Sequence, residues 1–254
     1  METRRHMFSR VRGRTQAGFK RGAYPCLALL PSMLHPLTPD PNHCRQARKM
    51  SIRRITKLYH LAEATNLPSI LRHGLLSTER LLALAGVGDE ERAEIVRRHR
   101  PDCVTLVNGV VIRDQKPMPP NMLAPVLADG LQPSEWYALL NKFVFLWPSR
   151  ERLERQKRAY RPRPQIVLVF DAQLLLSDVG DRALVSPINS GNARRRAARR
   201  GPKTLIPYPE WKANGWGPYD ETAERRRPKS HAPAEILVYE HVPTTEAHLV
   251  AVLH

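Results

Sequence analysis

Apolar and polar positions change their spacing several times along this chain, and each change predicts an element. Leu58 and Tyr59 form a short apolar strand that ends in His60. Asn66–His73 then reads as a helix: Asn66 caps it, Pro68 sits in the first turn, and Leu67, Ile70 and Leu71 give an apolar face. Gly74 suits the left-handed residue that stops it. Helical spacing returns at Thr78–Ala85 and Asp89–His99; in the second, Glu90, Glu91 and Glu94 precede Arg97 and Arg98, as the helix dipole favours. Val104–Val107 and Val110–Arg113 flank Asn108-Gly109, a strong hairpin signal. Asp114–Pro120 reads as an irregular loop, and Ser134 as the cap of a helix to about Asn141 with Trp136, Leu139 and Leu140 facing inward. Phe143–Trp147 and Ile166–Phe170 are continuous apolar runs of buried-strand length, separated by a charged helix at Glu151–Arg158. Asp171–Leu176 makes a short turn or helix, and Leu184–Ser186, Ile236–Tyr239 and Leu249–Leu253 complete the strands.

Strands dominate the centre and helices flank them, without the regular alternation a doubly wound sheet requires, so the fold class is α+β. No Gly-x-Gly-x-x-Gly follows a strand and no Gly-x4-Gly-Lys-Ser/Thr is present, which removes the dinucleotide and P-loop readings. Gly-x-Ser-x-Gly and His-Glu-x-x-His are also absent.

Composition adds one strong bias. The 254 residues carry 41 Lys and Arg against 24 Asp and Glu, a formal charge of +17. Such an excess favours an anionic partner, although arginine-rich coding would give the same number. Residues 1–49 supply +8 of it and are broken by Pro31, Pro36, Pro39 and Pro41, so a disordered basic N-terminal extension is expected, with one domain over 50–254. That extension reads as a nucleic-acid-binding tail, a targeting sequence, or a stretch upstream of a translation start at Met50. Cys26, Cys44 and Cys103 have no metal-like spacing, so no metal site is expected, and their sparse, odd number suits a reducing, cytoplasmic setting. No apolar run reaches the ~18 residues that would span a bilayer, and no membrane partner is expected.

Four constellations carry candidate chemistry. His60 leaves a strand beside a helix and a turn, which suits a nucleotide pocket. Arg113 ends a hairpin strand where its planar fork can grip a pyrophosphate, with Asp114 placed to orient it. Glu235 stands at the mouth of the apolar strand Ile236–Tyr239, where a carboxylate can face a pocket or merely start an edge strand. Ser190-Gly191-Asn192 offers small residues and amides for a phosphate or ribose, and is followed by Arg194, Arg195, Arg196, Arg199 and Arg200, a block suited to nucleic-acid phosphates or to a solvated loop. Downstream, Tyr208, Trp211, Trp216 and Tyr219 lie in a Pro/Gly-rich loop where they can stack bases or pin the loop to the core.

Together these segments resemble DarT-type, DNA-targeting ADP-ribosyltransferases. The helix Asn66, Leu67, Ile70, Leu71, Gly74, Leu75 matches their opening motif. AEILVYEHVP, beginning at Ala234, is similar to the strand that carries their catalytic glutamate, and Phe143–Trp147 with Pro148-Ser149-Arg150 is similar to their central strand. The stretch from about Lys57 to Pro243 also resembles an uncharacterised bacterial family with IRDQKPM and SPINSGN segments, here Ile112–Met118 and Ser186–Asn192. The first resemblance implies a split, curved β-sheet with flanking helices and NAD in the cleft. Glu235 would be catalytic with Arg113; His60, Asn66, Arg150, Ser190 and Asn192 would bind NAD, with Lys116 as an alternative cation. The acceptor would be DNA or RNA, which the charge favours, with protein next. The alternatives are a catalytically silent nucleic-acid-binding module on the same fold and an RNA 2′-phosphotransferase-like enzyme. In such a transferase, cleaving the nicotinamide–ribose bond would build positive charge on the ribose, which a carboxylate would stabilise.

Overall fold

The computed structural model describes residues 55–159, 163–194, 197–216, 227–228 and 231–254. The expectation for residues 1–49 lies outside the described residues.

The strands are β1 (Lys57–Glu63), β2 (Leu75–Leu76), β3 (Val104–Thr105), β4 (Val111–Ile112), β5 (Phe143–Leu146), β6 (Gln165–Asp171), β7 (Ala183–Ser186), β8 (Ile206–Pro207), β9 (Glu235–Tyr239), β10 (His241–Val242) and β11 (Leu249–Leu253). The helices are α1 (Leu67–His73), α2 (Thr78–Leu84), α3 (Asp89–Arg97), α4 (Pro120–Leu123), α5 (Pro133–Leu140), α6 (Arg150–Ala159), α7 (Ala172–Val179) and α8 (Tyr208–Asn214). They make a mixed α/β structure of several small antiparallel sheets. One sheet has the order β1-β6-β11 and another β5-β9-β7-β8; β10 pairs with β2, and β3 with β4.

β6 shows why its sequence is an unbroken apolar run. Ile166, Leu168 and Phe170 point into the largest core, with Leu175 and Leu176 of α7. Val167 and Val169 point the other way, against Leu153 of α6 and Trp147. A strand covered on both faces has no polar alternation to display. β9 repeats the pattern: Ile236 and Val238 join the largest core, while Leu237 packs with Trp136, Tyr137 and Leu140 of α5. A satellite core of Leu82, Val96, Leu106, Val110 and Ile112 lies under α2, α3 and the β3–β4 hairpin.

The two larger sheets share the largest core and are also joined by backbone pairing at one point. Tyr59 of β1 and Trp147, just after β5, exchange both backbone hydrogen bonds, at 3.0 and 2.7 Å. One residue on, the His60 side chain continues the link, with Nδ1 donating to the Phe145 carbonyl at 2.8 Å. β1 runs three residues beyond His60, so this histidine is mid-strand rather than at a strand end.

Local expectations are corrected at several points. Asn66 stands before α1 but makes no side-chain cap; its amide is engaged elsewhere. Gly74 does take the left-handed φ of 75°, and a Cβ there would lie 2.4 Å from His241 Nε2. α5 begins after Gln132, not Ser134, and the Glu135 carboxylate accepts from the Gln132 N–H at 2.8 Å. The loop after Pro119 holds α4, and the Pro/Gly-rich segment holds α8. Trp211 and Trp216 are 2% and 1% exposed and belong to the largest core, so neither is a base-stacking platform. Tyr219 lies outside the described residues.

Candidate functional site

Glu235 is the first residue of β9 and is 1% exposed. Ser190 clamps it: the backbone N–H and Oγ of Ser190 both donate to Glu235 Oε2, at 3.0 and 2.7 Å. Burial pushes the carboxyl from 4.5 up to about 7, against the Ser190 hydrogen bonds and the fields of Arg152 and Arg200, which pull it down.

The carboxylate opens on a cavity of about 280 Å³ whose walls also include His60, Asn66, Arg113 and Asn192. Far apart in the chain and expected together only from the family resemblance, these residues line one cavity. Desolvation drives His60 down to about 4, with the Arg113 charge adding to the fall and the Phe145 hydrogen bond opposing it. His60 is therefore neutral at pH 7. Since a carbonyl only accepts, Nδ1 holds the proton and Nε2 keeps a lone pair.

Arg113 sits just beyond β4, with Nε 3.1 Å from Glu63 Oε1. Its orienting carboxylate is thus Glu63, which is 5% exposed, and not Asp114. Asp114 instead accepts from the Lys116 N–H at 3.1 Å and from the Cys103 thiol at 3.5 Å. Asn66 grips the same hairpin. Its Nδ2 donates to the Val111 carbonyl and its Oδ1 accepts from the Val111 N–H, both at 2.8 Å. The amide that lines the cavity therefore fastens the wall carrying Arg113. Asn66→Ala should lower stability by about 1–3 kcal/mol, because the Val111 backbone loses both partners; urea unfolding would measure it, and an unchanged midpoint would show the clamp to be idle.

Several candidates fall elsewhere. Arg150 is exposed and does not line the cavity; from the same helix, Gln156 lines it and Arg152 acts on Glu235. Arg194 is exposed and donates to the Lys116 carbonyl at 3.0 Å, and Arg199 is exposed, 3.9 Å from Asp129. Arg195 and Arg196 lie outside the described residues. Arg200 is not part of a surface block: it is 1% exposed, with its guanidinium donating to the carbonyls of Ala198, Ser190 and Asn192 at 3.0, 3.1 and 2.9 Å. A group held that way cannot also meet a phosphate on the surface.

The structure adds one cation that sequence reasoning missed. Arg100 is 8% exposed and lines the cavity. Its Nη2 donates to Asn141 Oδ1 at 3.1 Å and its Nε to the Arg113 carbonyl at 3.4 Å. Its Nη1 is buried with no hydrogen-bond partner among the described residues. Desolvation lowers its pKa to about 10, so it remains a cation. Within Arg97-Arg98-His99-Arg100 it looks like one more surface charge; only its i+4 spacing from buried Val96 sets it apart. No group of three His, Cys, Asp or Glu that could hold a metal occurs among the described residues, and no helix there is long and apolar enough to cross a membrane.

Among solved structures, the chain is similar to the DarT of Thermus sp. 2.9 in complex with NAD+, at 18% identity over 76% of this chain and 79% of that one, with a TM-score of 0.35. The same protein in complex with ADP-ribosylated ssDNA matches at 16% identity over 74% and 77%, with a TM-score of 0.33. At those scores the overlap is coarse, and the chemistry of the site is read from its own residues. No curated protein matches the sequence. A family of unknown function, DUF7002, has a model that matches residues 56–249, nearly the whole of the described fold, and the chain belongs to that family.

Proposed function

We propose that this protein is an ADP-ribosyltransferase that uses NAD, with Glu235 as the catalytic carboxylate and a nucleic acid as acceptor. One observation carries the reading: a buried carboxylate, a neutral imidazole and two guanidinium groups line a single cavity. Those groups suit the halves of NAD. Arg100 and Arg113 supply positive charge for the pyrophosphate, and the unsatisfied Nη1 of Arg100 is the donor such a group would complete. At about 280 Å³ the cavity is near the lower end of ligand pockets, roughly 300–1,000 Å³, which suits one half of a dinucleotide with the rest at the mouth.

NAD supplies a ribose carbon that becomes cationic as its bond to nicotinamide breaks. Glu235 would face that charge, and an ionised carboxylate in a dry site stabilises it far more than in water. A pyridinium beside Glu235 also favours the ionised form, offsetting the burial that raises its pKa. His60, held by Phe145, offers Nε2 as a fixed acceptor for a ribose hydroxyl. Ser190 keeps the carboxylate from rotating, and the +17 charge supports an anionic acceptor.

Calorimetry of the full chain with NAD tests the reading. Saturable binding is expected, weakened about tenfold or more by Arg100→Met, since hydrogen bonds to a charged group are worth roughly 1.5–3 kcal/mol. Flat heats at millimolar NAD would sink it and leave a basic scaffold to be titrated with DNA and RNA.

A further inference from the structure

Ser190 holds two opposite charges at once. On one side its N–H and Oγ donate to Glu235; on the other its carbonyl accepts from Arg200 Nη1 at 3.1 Å. The Asn189 carbonyl, which shares a peptide unit with the Ser190 N–H, faces the same Nη1 at 3.5 Å, and the Asn192 carbonyl does so at 2.9 Å. Cation and carboxylate do not bond directly: both hydrogen bonds of Glu235 go to Ser190.

We propose that Arg200 is a positioning residue for Glu235, acting through Ser190 as the neutral link of a bridged ion pair. One peptide unit spans the two charges: its Asn189 carbonyl faces Arg200 Nη1 and its Ser190 N–H donates to Glu235, so the outer bonds polarise one another, while the Ser190 and Asn192 carbonyls anchor the guanidinium beside it. The backbone of Arg200 is itself fixed, its N–H donating to Val126 O and its carbonyl accepting from Ala128 N–H, both at 2.8 Å. The guanidinium therefore holds the 189–192 turn against a rigid support. The charged groups acting on Glu235 are Arg152 from α6 and Arg200. Arg152 is partly exposed and screened by water, whereas Arg200 is 1% exposed and is not. The importance of the bridge for catalysis rests on the reading of Glu235 given above; the bridge itself needs no NAD.

The test is a carboxyl titration of the full-length protein without NAD. Glutamate Cδ is labelled with ¹³C, and the Glu235 resonance is assigned by its loss in Glu235→Gln. Arg200→Met should raise the Glu235 midpoint by about one unit or more, tenfold in proton affinity. Arg200→Lys, which keeps the charge but not the fork, should bring it only part of the way back, and a midpoint fully restored by lysine would show that charge alone acts and overturn the bridge. An unchanged midpoint in folded Arg200→Met overturns the proposal. Should Arg200→Met not fold, Arg200→Lys decides by hydrogen exchange of the Ser190 amide: one ammonium cannot hold the fork of carbonyls, so exchange should quicken by about tenfold or more. Unchanged exchange overturns the bridge. A midpoint that moves in a protein that binds no NAD leaves the bridge standing and removes only the transferase reading.

Discussion

Under the proposed transferase chemistry, Glu235→Gln should lower NAD turnover by about 10²–10³-fold and change NAD affinity only a few-fold, because the carboxylate would act on charge that develops in the transition state. Glutamine fits the same space, and its carbonyl oxygen can still accept from the Ser190 N–H and Oγ, so the β9 entrance keeps its geometry. With NAD well below saturation, where the rate reports the free protein, the wild-type rate should climb with pH and level off above about 7, as Glu235 gives up its proton. Nicotinamide release, followed in single turnovers across pH, reads both effects. A glutamine variant that retained wild-type turnover would remove Glu235 from the chemistry.

The second large effect is in stability. Burial leaves the two central groups of the site with opposite pH slopes. Glu235 holds its proton up to about 7 in the fold but only to 4.5 when unfolded, so the native state binds more protons between those values and stability falls as pH rises. His60 is displaced the other way, from 6.5 to about 4. Between these values the unfolded chain binds more protons, so its contribution is fully present above 6.5 and is lost as pH falls towards 4. Each displacement corresponds to up to about 3 kcal/mol. From 4.5 to 6.5 the slopes oppose one another and nearly cancel. Glu235→Gln should expose the histidine slope, with stability rising with pH across that window. His60→Gln should expose the glutamate slope, with stability falling. Urea midpoints at half-unit steps of pH would show it, and variants that run parallel to wild type would mean that neither group is displaced.

Much of the fold was legible because buried strands and a tight turn announce themselves. The apolar runs of β5, β6 and β9 have the length and composition of strands buried on both faces, and Asn108-Gly109 marks the hairpin on local grounds. What escaped was set by tertiary partners. Asn66 has the right identity for a cap, yet Val111 offers its amide two backbone bonds and wins it. Tyr208–Asn214 is helical because Trp211 is drawn into the largest core, which Pro and Gly in the flanking sequence obscure. The site divides in the same way. Glu235, His60 and Arg113 stand out by their places at or near strands. Arg100 and Arg200 do not, because a buried arginine and a solvated one look alike within a basic run. Their roles depend on the carbonyls and amides around them, which sequence does not place.

The walls of the cavity rest on different cores. Glu235 belongs to β9, wedged between the two larger cores, whereas Arg100 and Arg113 flank the satellite cluster of Leu82, Val96, Leu106, Val110 and Ile112. The two are joined through α5, whose Ala138 packs on the satellite while its Trp136 and Leu140 pack with Leu237 of β9, so the arginine wall and the carboxylate wall hinge on one short helix. A change in α5 would shift both walls together, whereas one confined to the hairpin would shift the arginine wall first.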